Sequence, residues 1–167
     1  GIQAIINMAY LSSLRTGAAT GVAAKYLAPA NSKVLGIVGP GWQATFQVEA
    51  VMETCDIEQI VVWGRAPKRR KDFIKQMSKV VKADWKEVNS VDECEGLSDI
   101  LVVSTDSTTP VANGSNLKDE VLVASIGANM VTFLANPPHL DITQVGTNNI
   151  PDGTSTPVFF MLPQGSS

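Results

Sequence analysis

This 167-residue sequence contains few of the side chains that metal sites and nucleophile relays require. It has one histidine, His139, and two cysteines, Cys55 and Cys94. Their spacing matches no metal-binding pattern, and two cysteines do not build the disulfide framework of a small secreted protein. A Ser-His-Asp relay would depend on His139 alone, which follows two prolines in a stretch that predicts a surface position. The sequence therefore predicts no metal site and no histidine-activated nucleophile.

Long apolar runs and a targeting signal are also missing. No stretch is long and apolar enough to span a membrane, and the start lacks the basic region and small-residue cleavage site of a signal peptide. Apolar residues make up 44% of the chain and charged residues 17%. At this length such a composition is sufficient for one domain with a real core. We therefore expect a soluble, cytoplasmic domain without a membrane partner.

Positive charge is scarce overall, but it is concentrated in one segment. The formal net charge is −3, yet residues 65–86 hold nine of the thirteen lysines and arginines and only two of the sixteen acids. The segment lacks an interleaved aromatic platform and the whole chain is acidic, so a nucleic-acid partner is not predicted. A solvated helix face is the alternative to an anion-binding role for this segment.

The most informative stretch is a glycine turn that joins an apolar run, 34–38, to an amphipathic segment. The turn consists of Gly39, Pro40, Gly41, Trp42, Gln43 and Ala44. In a dinucleotide site the first glycine permits the tight turn, the second lets the backbone approach the phosphates, and the third small residue allows close helix–strand packing. The N–H groups of the first helical turn would then face the negative charge. A glycine-rich turn without a ligand is the alternative.

Strand and helix patterns alternate along the chain and predict an α/β fold, a Rossmann-like doubly wound, mainly parallel sheet with helices on both faces. Predicted strands are 32–38, 59–63, 85–88, 99–104 and 121–126, and predicted helices are 42–54, 67–82 and 91–95. Residues 1–28 predict a helical lead-in, as one long helix or two abutting ones, in which Gly17 and Gly21 share a face suited to close packing. Residues 29–145 would form the nucleotide-binding domain, and 146–167 an irregular tail in which 158–162 fit an edge strand.

Cofactor choice depends on the end of the second strand. NAD-preferring sites place a carboxylate there, about twenty residues past the glycine motif, to bind the ribose 2′-hydroxyl. This chain instead has Trp63, Gly64 and Arg65, and the next helix opens with four consecutive basic residues that include Lys68 and Arg69. Cations oppose the helix dipole at that end, and an adenosine 2′-phosphate among them would offset the cost. We therefore predict NADP rather than NAD, with a solvated basic turn as the alternative.

Two further loops follow strands at the edge where ligands bind in open α/β sheets. Thr105, Asp106 and Ser107 come after the fourth strand, and their hydroxyls and carboxylate could bind a nicotinamide ribose. A polar turn with a local aspartate cap is the alternative. Gly127 follows the fifth strand and would permit close backbone approach to a ring.

Two separated motifs together resemble the ornithine cyclodeaminase/mu-crystallin family. One is the helix at 14–28, which begins Leu-Arg-Thr-Gly, and the other is the glycine turn with its Gln43. The resemblance runs from about Ala9 to Asn129 and implies a Rossmann domain that binds NAD(H) or NADP(H). Family members include cyclodeaminases, amino-acid dehydrogenases, ketimine reductases and a ligand-binding crystallin. The resemblance also implies that Arg15 grips the carboxylate of a small amino-acid or imine substrate, and that Thr16 lies near the cofactor phosphates.

The chain departs from the family in two respects. Family members are about twice as long, and their additional segments build the substrate domain and the dimer interface. Asn129 also stands where the family has a catalytic aspartate, and an amide cannot accept and return a proton as a carboxylate does. The catalytic residues therefore stay unassigned.

Three hypotheses remain for the function. In the first, the chain is a cofactor-binding domain that was truncated, excised or diverged from such an enzyme. In the second, it is an active oxidoreductase or cyclodeaminase that is completed by oligomerisation. In the third, it is a structural module without a cofactor. The intact glycine turn and the basic cluster favour the first.

Apolar surface on 1–28 and around 130–134 would be exposed without the second domain, and such patches associate. We therefore expect a homodimer or larger assembly.

Overall fold

The fold is described by a computed structural model, which covers residues 1–6, 8–107, 109, 111–112, 114–126 and the backbone of a strand at 157–161. Strands and helices alternate after a long first helix. The elements in chain order are α1 (Met8–Leu27), β1 (Val34–Val38), α2 (Trp42–Met52), β2 (Gln59–Trp63), α3 (Pro67–Met77), β3 (Asp84–Glu87), α4 (Val91–Leu97), β4 (Ile100–Val103), β5 (Leu122–Ile126) and β6 (Pro157–Met161).

The strands form one six-stranded sheet in the order β3-β2-β1-β4-β5-β6. The first five are parallel, and β6 pairs antiparallel with β5 at the edge. The chain moves in one direction through β1, β2 and β3 and then crosses back to β4. Since such crossovers are right-handed, α2 and α3 lie on one face of the sheet and α4 on the other. The predicted doubly wound fold is confirmed, and the order places a topological switch point between β1 and β4.

The central strands are apolar on both faces, as expected where helices cover both sides of a parallel sheet. All four residues of β4 and all five of β5 are buried. The largest fully buried apolar side chains of the described residues include Leu35, Ile37, Ile60, Ile100, Leu101 and Leu122. This core fixes the ends of β1, β2 and β4 as a rigid platform.

Helix α1 packs closely against α2 through its two glycines. A Cβ on Gly17 would lie 2.6 Å from the carbonyl oxygen of Phe46, and one on Gly21 would lie 2.9 Å from that of Ala50. Both distances are far below van der Waals contact, so neither position has room for a side chain. The predicted close packing at these glycines is confirmed, and the neighbour is a helix rather than the sheet.

Three predicted helices are shorter in the structure, α2 by only two residues and the other two by more. Residues 1–6 are not helical, and α1 begins at Met8. Helix α3 ends at Met77 instead of residue 82, because the chain turns there and both Val80 N–H and Val81 N–H donate to the Met77 carbonyl. Val81 is buried, but Val80 is 67% exposed. The predicted helix 67–82, with Phe73, Met77 and Val80 spaced along one face, would bury Val80; the end of α3 at Met77 leaves this side chain exposed instead.

Asp99 anchors the edge of the sheet opposite the glycine turn. Its carboxylate accepts the N–H groups of Lys33 and Val34, at 2.8 and 2.9 Å, and the ammonium of Lys118 at 2.6 Å. Burial raises the pKa of this carboxyl, but the bonds from Lys118 and the two amides outweigh burial and leave the pKa below its usual value. The cluster therefore ties the start of β1 to the start of β4.

Candidate functional site

Three strand ends meet at the glycine turn. Gly39 has φ 93°, and a Cβ there would lie 2.3 Å from the carbonyl oxygen of Ser104 and 3.1 Å from the Cβ of Thr105. A Cβ on Gly64 would lie 2.5 Å from Cδ of Pro40. Only glycine fits at Gly39 on both conformational and steric grounds. The turn after β1 is therefore in direct contact with the ends of β2 and β4, as the sheet order requires.

The N-terminus of α2 is open toward this junction. Gly41 is its N-cap residue, with extended backbone and no capping side chain, and no atom of the described residues lies within 4 Å of where a Cβ would be. The N–H groups of Trp42 and Gln43 donate to no acceptor within the described part of the chain. Unsatisfied N–H groups at a helix start carry partial positive charge and bind anions. The residues present therefore fit a phosphate group approaching the backbone at Gly41.

Three polar side chains near this helix start have buried atoms that receive no hydrogen bond from, and donate none to, the described residues. They are Gln43 through its Oε1 atom, Gln47 through both amide atoms, and Thr20 through its hydroxyl. Gln47 and Thr20 are fully buried, and an unpaired buried polar atom costs about 1–3 kcal/mol. Gln43 is one of the residues in the glycine turn that carry the family resemblance. Gln47 lies one helical turn after Gln43 in α2. Residues four apart share a helix face, so the sequence could have identified Gln47 as a neighbour of Gln43.

An aromatic cluster holds α1 to the start of α2. The indole N–H of Trp42 donates to Oγ of Ser13 at 3.0 Å, and Ser13 is 1% exposed. Phe46 packs edge-on against both Trp42 and Tyr10, with ring centroids 5.2 and 5.4 Å apart. Sequence reasoning missed Ser13, since nothing in its local sequence distinguishes it from neighbouring small residues. These contacts place Trp42 beside the open helix end, where it is still 61% exposed.

Some of the cations at the basic start of α3 form ion pairs within the protein and others do not. Arg70 is tied down, because its guanidinium donates to the Glu87 carboxylate at 2.7 Å and to the carbonyl of Gly64. Lys68 pairs with Asp72 one turn along the helix.

Arg65 and Arg69 are exposed and form no ion pair within the described residues. Two unpaired guanidinium groups are therefore available beyond the end of β2, where no carboxylate stands. Their role in cofactor binding stays a prediction.

The loop after β4 begins beside the glycine turn and is pinned at its far end. Its first residues form local turns, in which the N–H of Ser107 donates to Oγ1 of Thr105 at 3.3 Å, and Asp106 is exposed. The carboxylate of the fully buried Glu95 in α4 accepts hydrogen bonds from the N–H of Gly114 at 3.1 Å and from the N–H of Asn116 at 3.4 Å. Sequence reasoning missed Glu95 because charged residues in a short helix predict a solvated face. Ribose binding by the loop stays a prediction.

The residues assigned through the family resemblance lie in α1 or beyond β5. Arg15 is exposed, whereas Thr16 is 2% exposed and its hydroxyl donates to the carbonyl of Ser12 at 2.8 Å. Their roles stay predictions. Gly127 and Asn129 lie outside the described residues.

The described part of the chain offers little for other kinds of chemistry. It contains no group of three or more histidine, cysteine, aspartate or glutamate side chains arranged to hold a metal ion. Burial raises the pKa of the Cys94 thiol to about 12, so this cysteine stays protonated and unreactive near neutral pH. In the same residues, every helix is too short or too polar to cross a bilayer.

Comparison with known proteins relates the chain to dehydrogenases and imine reductases. It is 35% identical over 127 residues to the alanine dehydrogenase of Archaeoglobus fulgidus, an alignment that covers 75% of this chain and 38% of that protein. The solved structure of Thermococcus litoralis Δ1-pyrroline-2-carboxylate reductase with NADH and L-proline matches with a TM-score of 0.70 and 41% identity, over 72% of this chain and 37% of that one. An archaeal alanine dehydrogenase dimer with bound NAD matches with a TM-score of 0.62 and 36% identity, over 66% and 34% of the two chains.

The chain thus spans well under half the length of these relatives. The family model for ornithine cyclodeaminase/mu-crystallin proteins matches residues 2–133, which include every described element except β6. This chain therefore belongs to the ornithine cyclodeaminase/mu-crystallin family.

Proposed function

We propose that this Rossmann domain binds a nicotinamide dinucleotide, with the pyrophosphate against the N-terminus of α2. The observation that carries the proposal is the open cradle at Gly41. The N–H groups of Trp42 and Gln43 at this helix start have no acceptor among the described residues, and no described side chain fills the space beside Gly41. The relatives from Thermococcus litoralis and from an archaeon have NADH and NAD bound in their solved structures, which supports the same ligand class here.

Each neighbouring strand end would take one part of the cofactor. Because Gly39 has no Cβ, the carbonyl of Ser104 can pack directly against the turn. The end of β4, at Thr105, then lies on the nicotinamide side of the switch point, and the end of β2, at Arg65, on the adenosine side. A bound nicotinamide dinucleotide supplies hydride transfer. This domain's residues would bind and orient it.

The cofactor we propose is NADP rather than NAD. The described residues at the end of β2 provide no carboxylate for a ribose 2′-hydroxyl, and Glu87 at the nearby end of β3 is already paired with Arg70. The unpaired Arg65 and Arg69 could bind a 2′-phosphate through charge-assisted hydrogen bonds. Arg70 is already paired with Glu87 and is therefore not available to a 2′-phosphate. Of the remaining cations, Arg65 is nearest in sequence to the end of β2, so we take it as the first candidate for binding the 2′-phosphate.

We also propose that the chain self-associates. Large apolar side chains are exposed along α1, among them Tyr10, Leu14, Val22 and Tyr26. Patches of this kind usually mark contacts with another protein. The archaeal alanine dehydrogenase relative is described as a dimer, which supports the same tendency here.

Titration of the full 167-residue chain with NADPH and with NADH tests the proposed function. Trp42 lies at the start of α2 and Trp63 at the end of β2, so excitation of tryptophan should transfer energy to a bound reduced nicotinamide. We expect saturable binding of both cofactors, with the lower dissociation constant for NADPH. A chain that is folded by circular dichroism and binds neither cofactor would exclude dinucleotide binding and favour the structural-module hypothesis.

Removal of the Arg65 guanidinium tests the NADP preference. A charge-assisted hydrogen bond contributes about 1.5–3 kcal/mol, so we expect Arg65→Ala to weaken NADPH binding by about tenfold or more. Binding of NADH should change little, since it has no 2′-phosphate. Lys75→Ala is the control, because it removes an exposed cation from the last turn of α3, the helix that follows Arg65. Equal losses for both cofactors would contradict 2′-phosphate recognition by Arg65.

A further inference from the structure

The connection between β4 and β5, which we call the β4–β5 crossover, contains no helix among its described residues, 104–107, 109, 111–112 and 114–121. Parallel strands are usually joined through a helix, which satisfies most of its own backbone N–H groups. The N–H groups of this crossover depend on other acceptors or on water. The structure shows one such acceptor on α4, the carboxylate of Glu95.

Glu95 is 0% exposed, and its two carboxylate oxygens bind the crossover at two points. Oε1 accepts the N–H of Gly114 at 3.1 Å, and Oε2 accepts the N–H of Asn116 at 3.4 Å. Gly114 has φ 77°, and turns of this kind direct successive N–H groups toward one anion. The crossover is therefore folded around the Glu95 carboxylate as around a bound anion.

The packing of α4 does not by itself require a carboxylate at this position. Cys94, the preceding residue, is also fully buried and lies in the apolar core. Removing a carboxylate from water is costly unless hydrogen bonds to the charge offset the cost. Backbone N–H groups of the crossover provide such bonds, so the buried charge of Glu95 and the conformation of the crossover depend on each other.

The crossover starts at the candidate cofactor site. A Cβ on Gly39 of the glycine turn would lie 3.1 Å from the Cβ of Thr105. Further along, Lys118 pairs with Asp99 at 2.6 Å, shortly before β5 begins. Glu95 therefore holds the crossover between the cofactor site and this second anchor.

We propose that Glu95 is a positioning residue for the cofactor. By fixing the course of the crossover, it keeps Thr105 and Ser107 on the nicotinamide side of the switch point. The inference rests on the proposed dinucleotide binding and adds a buried residue outside the site. Because α2 would bind the pyrophosphate and the end of β2 the adenosine, the effect of Glu95 should be confined to the half of the cofactor that carries the nicotinamide.

Glu95→Gln in the full chain tests this role by calorimetric titration with three ligands. Glutamine has nearly the same shape, but its amide nitrogen donates, so one N–H of the crossover would face another donor. We expect the dissociation constants of NADPH and NADH to rise about tenfold. ADP has the adenosine and both phosphates but lacks the second ribose and the nicotinamide, so it should bind as it does to the unchanged chain.

Asp92→Asn is the matched control, because it removes a carboxylate from an exposed position of the same helix. It should leave all three dissociation constants unchanged. Gly114→Ala disturbs the same contact from the crossover side, since alanine rarely adopts the left-handed φ of this residue. It leaves the core around α4 intact, so it tests the proposal even where Glu95→Gln destabilises the fold. We expect the same selective loss, of about threefold or more.

Hydrogen exchange in the cofactor-free chain gives a second measurement. The amides of Gly114 and Asn116 should exchange about tenfold faster in Glu95→Gln than in the unchanged chain, because they lose their acceptor. The amides of β1, which lie in the centre of the sheet, should keep their protection.

Two binding results would overturn the positioning role. They are an equal weakening of all three ligands, and unchanged binding of NADPH and NADH by both folded variants. Unchanged exchange at Gly114 and Asn116 in Glu95→Gln would overturn it as well. Failure of the proposed function is distinguishable from these results, because the folded, unsubstituted chain would then bind neither NADPH nor NADH.

Discussion

Gly41→Asp should abolish dinucleotide binding while leaving the fold intact. The new carboxylate would occupy the open space beside the first N–H groups of α2, where no described residue lies within 4 Å of a Cβ on Gly41. Two charges about 4 Å apart near a protein surface interact by about 4 kcal/mol. Repulsion of the pyrophosphate should therefore raise the dissociation constants of NADPH and NADH by at least about a hundredfold.

The free protein should tolerate this change for the same reason that binding is lost. Gly41 is the N-cap residue of α2, at φ −114° and ψ −170°, which any residue adopts. Aspartate is among the preferred N-cap residues, and glycine is only a few tenths of a kcal/mol less favourable. The carboxylate would accept the N–H groups now left free, so the thermal midpoint of unfolding should stay constant or rise slightly.

Gly41→Asn is the matched control for charge. Asparagine has nearly the same shape and caps a helix equally well, but it carries no charge. We expect it to weaken cofactor binding by steric crowding alone, and much less than Asp. Undiminished binding in the folded Gly41→Asp chain would show that the cofactor does not approach α2 at this residue.

Features that depend on local sequence were predictable, and β2 shows why. Its bounds are the predicted 59–63, because an apolar run there is limited by Glu58 on one side and Gly64 on the other. The glycine turn was similarly evident, since strand, turn and helix follow each other directly. The strand order then follows from right-handed crossovers and from the recognised motif.

Features that depend on partners distant in sequence could not be predicted. Arg69 and Arg70 are neighbours of the same type, but only Arg70 reaches Glu87, seventeen residues away. Which of the two is consumed depends on how α3 is rotated against β3. The bond between Ser13 and Trp42 spans twenty-nine residues and depends on the register of α1 on α2. The end of α3 likewise results from the chain turning toward β3, whereas its helical pattern continues for several residues.

The register of α1 on α2 leads to the second large effect, which we expect from Gly17→Ala. In the middle of a helix alanine is about 1 kcal/mol more favourable than glycine, so helix propensity alone predicts stabilisation. The structure predicts the opposite, because the added methyl would lie 2.6 Å from the carbonyl oxygen and 2.9 Å from the Cβ of Phe46. Relief requires α1 to move away from α2, and overpacking of this kind costs about 1–3 kcal/mol.

Gly96→Ala is the same substitution in α4 without the crowding. A Cβ there would meet only the carbonyl oxygen of Asn116, at an ordinary 3.5 Å, so we expect stability to rise by up to about 1 kcal/mol. Urea unfolding followed by far-UV circular dichroism should therefore give free-energy changes of opposite sign for the two variants. Stabilisation by Gly17→Ala would mean that α1 does not rest on α2 in the folded chain.

Tryptophan fluorescence gives a second measurement of the same displacement. Because Trp42 is held by Ser13 of α1, a displaced α1 should also release this side chain, and its fluorescence emission should shift toward that of an indole in water. A destabilised Gly17→Ala chain with unchanged tryptophan emission would locate the damage away from the start of α2.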